Sequence, residues 1–248
     1  MKLNLNRCLQ LAFLASSIVL SSCDHSPTSP DYGGRSVARE AFSFDIPASG
    51  HASLRLEGVS GLVTIVGSSQ AGSVLITGER RVESNLPGDA ELRLQDIEVQ
   101  VDDLGSEIFV KTHQPSDNQG RNYVVDYEVT LPMDFELHIT NISGNVDVRD
   151  THGNAFVNVI SGRIEARAEI PLHGTIDMTS TSGGVDLRIP RSTSAEFSAG
   201  VVSGTINVSD LSLRNEYHTP NSLRGTLGDG QGRISLNVIS GTVRVEGY

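Results

Sequence analysis

Four carboxylates, Asp147, Glu165, Asp177 and Asp186, each stand between two apolar residues in short apolar–polar–apolar runs. If such positions align in space, they form columns of acids on one face. Paired carboxylates, or a carboxylate beside Arg or Lys, are what acid–base cleavage of a polysaccharide requires. The same pattern also arises when polar residues merely fill the solvent side of strands. Asn158, Asn207 and Arg244 occupy equivalent positions, which favours the simpler explanation. His152-Gly153 and His173-Gly174 lie 21 residues apart and could bring two imidazoles together at a turn. A Zn²⁺ or Ni²⁺ site needs at least a third ligand, and the next position in that register, Ser194-Ala195, supplies none. Gly228-Asp229-Gly230-Gln231-Gly232 lacks the Lys-Ser/Thr and the helix of a phosphate loop and is expected to be a wide turn. No Gly-x-Ser-x-Gly elbow, Ser-x-x-Lys or calcium-binding nonapeptide is present. No catalytic residue, metal ligand or cofactor site is therefore assigned. With 19 basic against 30 acidic residues, a net charge of −11, the chain also lacks the basic surface that nucleic-acid binding demands.

Cys23 is the residue with the clearest chemistry. Met1–Arg7 carries Lys2 and Arg7 and no acid, and Leu9–Leu20 is mostly apolar. That stretch is too short to span a bilayer and has the layout of a secretory signal. The run Leu20-Ser21-Ser22-Cys23 resembles the lipobox of bacterial lipoproteins. The resemblance implies cleavage before Cys23, removal of residues 1–22, and acylation of the new N-terminal cysteine. Cys8 lies in the removed segment, so the mature chain has one thiol and no internal disulfide. It would carry 17 basic and 30 acidic residues, a charge of −13, which an anionic bilayer repels. Lipid chains, not the protein surface, would hold it. Asp24 resembles an inner-membrane retention signal, but inner membrane, outer membrane and cell surface all stay open. Residues 23–40, rich in Ser, Pro and Gly, are expected to be a lipidated tether spanning roughly 20–25 Å.

From about Ala41 the chain repeats. An apolar residue, Ser, Gly, one residue and an apolar–polar–apolar triplet recur at 59–65, 142–148, 160–166, 181–187, 202–208 and 239–245. The serines at 143, 161, 182, 203 and 240 are separated by 18, 21, 21 and 37 residues, the last gap holding a degenerate unit near Ser222–Leu227. A period of about 20 residues marks units that cannot bury their own faces and must stack. Within them Val146/Val148, Val157/Val159, Ile164/Ala166, Ile176/Met178, Val185/Leu187/Ile189, Ile206/Val208 and Val243/Val245 alternate with polar residues, predicting strands with one buried side. Gly after Ser fits a turn with positive φ, and the Ser hydroxyl is expected to bond nearby backbone. The architecture expected is an all-β, single-chain parallel β-solenoid (β-helix) over residues 41–248. The chain's last strand, Thr242–Glu246, would be its terminal coil, an edge open to a second copy.

Residues 67–133 repeat less cleanly. Leu92/Leu94, Ile97/Val99/Val101 and Ile108/Val110 are expected in strands, with a turn at Asp102–Gly105 and a polar loop at 115–122. This less regular N-terminal half is placed in the same β body, with a separate subdomain as the alternative.

The runs at 127–148 and 225–247, with the Ser-Gly repeats between them, resemble a bacterial family of putative-adhesin proteins with β-strand repeats. It is a domain of unknown function related to head-GIN adhesin-like domains. The resemblance implies a β-solenoid in the cell envelope and little biochemistry, and no catalytic residues can be carried over from it. The expected function is a non-catalytic envelope lipoprotein presenting an extended surface for binding or scaffolding. Its partners would be the membrane through the lipid, an envelope protein or glycan, or a second copy through the terminal coil. The rival is a β-helical carbohydrate-active enzyme, a lyase or hydrolase.

Overall fold

A computed structural model describes residues 35–248. The expected signal peptide, Cys23 and most of the expected tether lie outside the described residues. The first seven strands are β1 Ser36–Pro47, β2 Ser53–Ser60, β3 Val63–Ser68, β4 Ser73–Ser84, β5 Glu98–Asp103, β6 Glu107–His113 and β7 Asn122–Pro132. They are followed by β8 Glu136–Ser143, β9 Val146–Thr151, β10 Ala155–Ala168, β11 Thr175–Ile189, β12 Ala195–Ser209, β13 Leu213–Thr219, β14 Ser222–Leu227 and β15 Gly232–Gly247. One short helix, α1 Asp89–Arg93, interrupts the strands. The fold is all-β, a single sheet of fifteen strands in which nine of fourteen pairings are parallel.

The Ser-Gly pairs are corners. In β10, Ala155, Val157 and Val159 are buried before Ser161-Gly162, and Ile164, Ala166 and Ala168 after it. The parity of burial switches across the corner, so both halves of the strand turn their apolar sides to one interior. The half before the corner pairs with β8 and the half after it with β9. Two walls result. The first runs β5-β6-β2-β8-β10-β11-β15-β12-β14-β13, and the second runs β1-β4-β7-β3-β9-β10-β11-β15-β12. Between them lies one apolar cluster that includes Leu54, Ile65, Leu137, Ile176, Met178, Leu236 and Val243. Each such side chain contributes about 1.5–3 kcal/mol by leaving water.

The corner serines form an unbroken register, Ser60, Ser143, Ser161, Ser182, Ser240 and Ser203, with neighbours paired. The glycines beside them have φ between 120° and 152°. A Cβ on Gly144, Gly162, Gly183, Gly241 or Gly204 would lie 1.5–2.1 Å from the carbonyl oxygen of the glycine on the preceding rung. No other residue fits there. Contrary to expectation, the corner serine hydroxyls make no hydrogen bond among the described residues. Two corner carbonyls accept hydrogen bonds from inside. Asn141 Nδ2 donates to Gly61 O at 3.1 Å and Ser180 Oγ to Gly162 O at 3.1 Å, both from buried positions.

The rungs do not stack in chain order. Thr242–Glu246 belongs to β15, which is paired along both edges, to β11 and to β12. The expected terminal coil is thus an interior one, and it has no open edge. The reason lies in the degenerate unit. Ser222–Leu227 (β14) lacks a Ser-Gly corner and pairs antiparallel to the first half of β12, with β13 outside it. Gly228–Gln231 then crosses the start of β12, its Asp229 and Gln231 N–H groups donating to Ser194 Oγ at 3.0 and 3.2 Å, and delivers β15 to the other side of β12. The second half of β12 is left as an unpaired edge, where Ile206 and Val208 are only half-buried.

Two further expectations change. Ser36–Glu40, assigned to the tether, open β1 and pair with Arg80–Ser84. Only Ala38 there is buried, so the stretch has almost no apolar signal. Leu92 and Leu94 are not in a strand. Leu92 sits exposed in α1, whose start is tied by Arg121 Nε to Asp89 Oδ2 at 2.6 Å and by Ser84 Oγ to the same oxygen at 2.6 Å. Strands β4 to β7 join the same sheet as the rungs, and the turn at Leu104-Gly105 links β5 to β6 as expected.

Gly183→Ala is expected to cost about 3 kcal/mol or more, a fall of about 6–12 °C in Tm for a domain of this size. Gly72→Ala, whose methyl would meet nothing within 4 Å, should stay within about 1 kcal/mol of the parent. Deleting Gly232–Tyr248 should strip hydrogen-exchange protection from Ala195–Leu227 while leaving β8–β10 protected. Retained protection in Ala195–Leu227 would contradict the strand order.

Candidate functional site

Outward positions of the second wall form two columns. Asp147, Glu165, Asp186, Arg244 and Asn207 are register neighbours in that order, and Arg149, Arg167, Arg188, Glu246 and Ser209 form the column beside them. Strands in register place successive members about 4.8 Å apart. Alternation puts every second residue outside, and stacking without slippage puts like residue on like. Together the columns line an open groove of about 570 Å³.

Three acids on adjacent rungs repel, and the arginines offset this. Arg149 Nε donates to Asp147 Oδ1 at 3.0 Å, and that carboxylate raises the Arg149 pKa above its ordinary value. Arg163, on the rung before, reaches past Gly184 to donate to Asp186 Oδ2. Arg244 Nη1 stands 3.9 Å from Asp186 Oδ1, an atom that is itself buried without a hydrogen bond. On the β15 rung the signs invert, so Glu246 meets Arg188 at 2.7 Å. Arg167 lies 4.7 Å over the Tyr248 ring and 3.8 Å from Asp150. Glu165 alone makes no ion pair with a described residue. The groove is a lattice of opposed charges on a flat sheet, not a pair of carboxylates facing each other across an open space.

Asp177 is not in this column. It lies before its corner, so it faces out from the first wall, beside Phe156 on β10. That wall carries the feature that sequence reasoning missed. Phe156 occupies an outward position where the alternation calls for a polar residue, and its ring stacks on His138 of β8 with centroids 4.8 Å apart and planes 11° from parallel. An aromatic residue out of phase in Ala155-Phe156-Val157 was the available signal. His138 Nε2 contacts Glu136 Oε1 at 2.7 Å, and Asn154 Nδ2 donates to Glu136 Oε2 at 2.8 Å. The Asn154 bond, with His138 second, holds the Glu136 carboxyl below its ordinary pKa.

His152 and His173 have separate partners. His152 faces Glu169 at 3.8 Å, whereas His173 Nδ1 lies 3.2 Å from Gln231 O across the loop before β15. Among the described residues no group of three or more His, Cys, Asp or Glu is placed to hold a metal ion. Gly228–Gly232 is the wide turn expected, and Ser194 fills its centre.

With this geometry in view, the comparisons are specific about fold and silent about chemistry. Residues 133–246 match the family model described as Toastrack DUF4097. That span holds the last five Ser-Gly corners and bears out the resemblance to adhesin-like proteins of unknown function. The solved structure of a putative cell adhesion protein from Clostridium sporogenes is similar over 85% of this chain and 100% of its own, with a TM-score of 0.58 and 11% identity. At that identity the likeness concerns the fold alone. A putative adhesin from Bacteroides fragilis aligns over 83% of this chain and 97% of its own, at 10% identity and a TM-score of 0.30. No curated relative matches the sequence.

The depressed Glu136 carboxyl stabilises the fold above the ordinary glutamate range and ceases to do so as pH falls through its lower folded value. Glu136→Gln should therefore flatten the loss of stability below about pH 4.3. Because the group is partly exposed, it should cost under about 1 kcal/mol at pH 7. Thermal melts of parent and variant between pH 3 and 7 check this. Parallel curves would contradict it.

Proposed function

We propose, on the premise that this chain carries a Toastrack DUF4097 domain, that it is a non-catalytic lipoprotein of the bacterial cell envelope. Acylated Cys23 holds it to the membrane, and residues 41–248 act as a parallel β-solenoid whose walls are surfaces for binding or scaffolding. The observation that carries this is the register of six Ser-Gly corners, which supports reading the six rungs as stacked coils of one rod, with one coil inserted out of chain order. Such a rod presents side chains at fixed intervals of about 4.8 Å on walls that need no ligand to keep their shape. The antiparallel strands at both ends serve as caps in this view.

The carbohydrate-active enzyme is favoured by one observation, the column Asp147–Glu165–Asp186 beside arginines in a groove. Its carboxylates argue the other way. Asp147 and Asp186 are committed to Arg149, Arg163 and Arg244, while a glycoside hydrolase needs two acids flanking space for the scissile bond. The groove is better suited to stiffening the wall and keeping it soluble.

Expression of the full chain in a bacterium with a lipoprotein pathway tests the anchor. The parent should incorporate radiolabelled palmitate and sediment with membranes, and Cys23→Ala should lose the label and appear in the soluble exported fraction. A Cys23→Ala protein that still sediments with membranes, or an unlabelled parent, would overturn the lipid-anchored assignment.

A further inference from the structure

We infer that the first wall binds one pyranose ring of a neutral or amino-bearing glycan in the recess beside Phe156. This rests on the binding function proposed above and names its ligand class. A recess of about 250 Å³ opens there, lined by Phe156, His138, Thr140, Asn158, Asp177 and Thr179 and by two charged residues already paired elsewhere, Arg55 with Glu107 and Glu57 with Lys111. It lies just below the ~300–1,000 Å³ of drug-sized sites, a size for a single ring.

The recess sets an aromatic ring beside polar groups that are free to bond a ligand. An outward phenyl on a solvent-facing strand costs solubility and gains nothing from the core. Here it is held flat by His138 on one side, and His138 is in turn fixed by Glu136 at 2.7 Å. On the other side the next rung carries Asp177, whose shorter side chain does not extend the stack and which makes no hydrogen bond or ion pair with a described residue. An aromatic face is negative and apolar, so it takes the weakly positive C–H face of a sugar ring. The hydroxyls of that ring are both donors and acceptors. Asn158 and Thr179, paired neighbours on adjacent rungs, and Thr140 on the rung before offer both. Asp177 accepts only, which suits a sugar hydroxyl or ammonium and repels a carboxylate. The chain's charge of −11 acts in the same direction against acidic glycans. In the charged groove of the second wall the arginines are already matched, and of its acids Glu165 alone makes no ion pair with a described residue.

Saturation-transfer NMR and calorimetric titration of the purified full chain test this, with three probes: an N-acetylglucosamine trimer, its deacetylated glucosamine form, and a galacturonic acid trimer. At least one of the first two should bind and the acidic trimer should bind at least tenfold more weakly. Phe156→Ala should weaken binding at least tenfold with an unchanged melting curve, and Phe156→Tyr should restore it. Asp177→Asn should weaken the glucosamine form more than the acetylated one. Failure of all three trimers to bind, equal binding of the acidic one, or full binding by Phe156→Ala would overturn the site. None of these results touches membrane attachment through Cys23, which is measured separately, so the two ideas fail independently.

Discussion

A carbonyl oxygen stands where each corner glycine would carry a side chain. That one exclusion sets the spacing of everything else. Because the backbone at Gly61, Gly144, Gly162, Gly183, Gly241 and Gly204 can approach so closely, successive rungs turn at the same place. The two walls therefore face each other along their length. The apolar triplets after each corner then fall on the same inner lines, and the polar residues between them on the same outer ones. Register here is a property of the corner before it is a property of the strands, since a slip of one residue would drive a Cβ into the neighbouring carbonyl and also turn the aliphatic side outward.

The same constraint explains how a strand can be inserted out of order. Each corner is interchangeable with the next, so β15 meets β11 and β12 with the same Ser–Ser and Gly–Gly pairing that β10 and β11 make. What differs is outside the corner. The β13–β14 hairpin lacks the motif and is antiparallel, so it caps half of β12 and leaves the rest of that strand as an edge. Strand β15, which follows β12 in the chain, becomes the rung between β11 and β12, and the fold on that side cannot close until it is in place.

Much of this could be read from the residues, and the failures have identifiable causes. Alternation at Val146/Val148 through Val243/Val245 located the strands, and the recurring Ser-Gly located the corners, because both reflect local geometry. Spatial order was hidden, because identical corners carry no information about which neighbour each prefers; the 37-residue gap before Ser240 hinted only that one unit was imperfect. Strand β1 was missed since Ser36–Glu40 owes its place to pairing with β4 and contributes little apolar area. Leu92 and Leu94 misled because their spacing of two fits a strand, whereas Pro87-Gly88 and the tie from Asp89 to Arg121 and Ser84 wind the segment. For the candidate sites, the acid column was anticipated in outline, but Asp177 was grouped with it although it precedes its own corner and so faces the opposite way. Phe156 stood in plain view as a break in the alternation, and only its stacking on His138 gives it meaning.

The order of rungs can be measured directly with engineered cysteines at the corners, in a chain whose Cys8 and Cys23 are replaced by serine. Corner serines on adjacent rungs are within the 4.4–6.8 Å Cα range that a disulfide requires, while those two rungs apart, roughly 9.6 Å, are not. Ser182→Cys with Ser240→Cys, and Ser240→Cys with Ser203→Cys, should each cross-link on mild oxidation of the folded protein, and Ser182→Cys with Ser203→Cys should not. Efficient cross-linking of the 182/203 pair, with none at 182/240, would mean that the rungs stack in chain order and that β15 does not lie between β11 and β12.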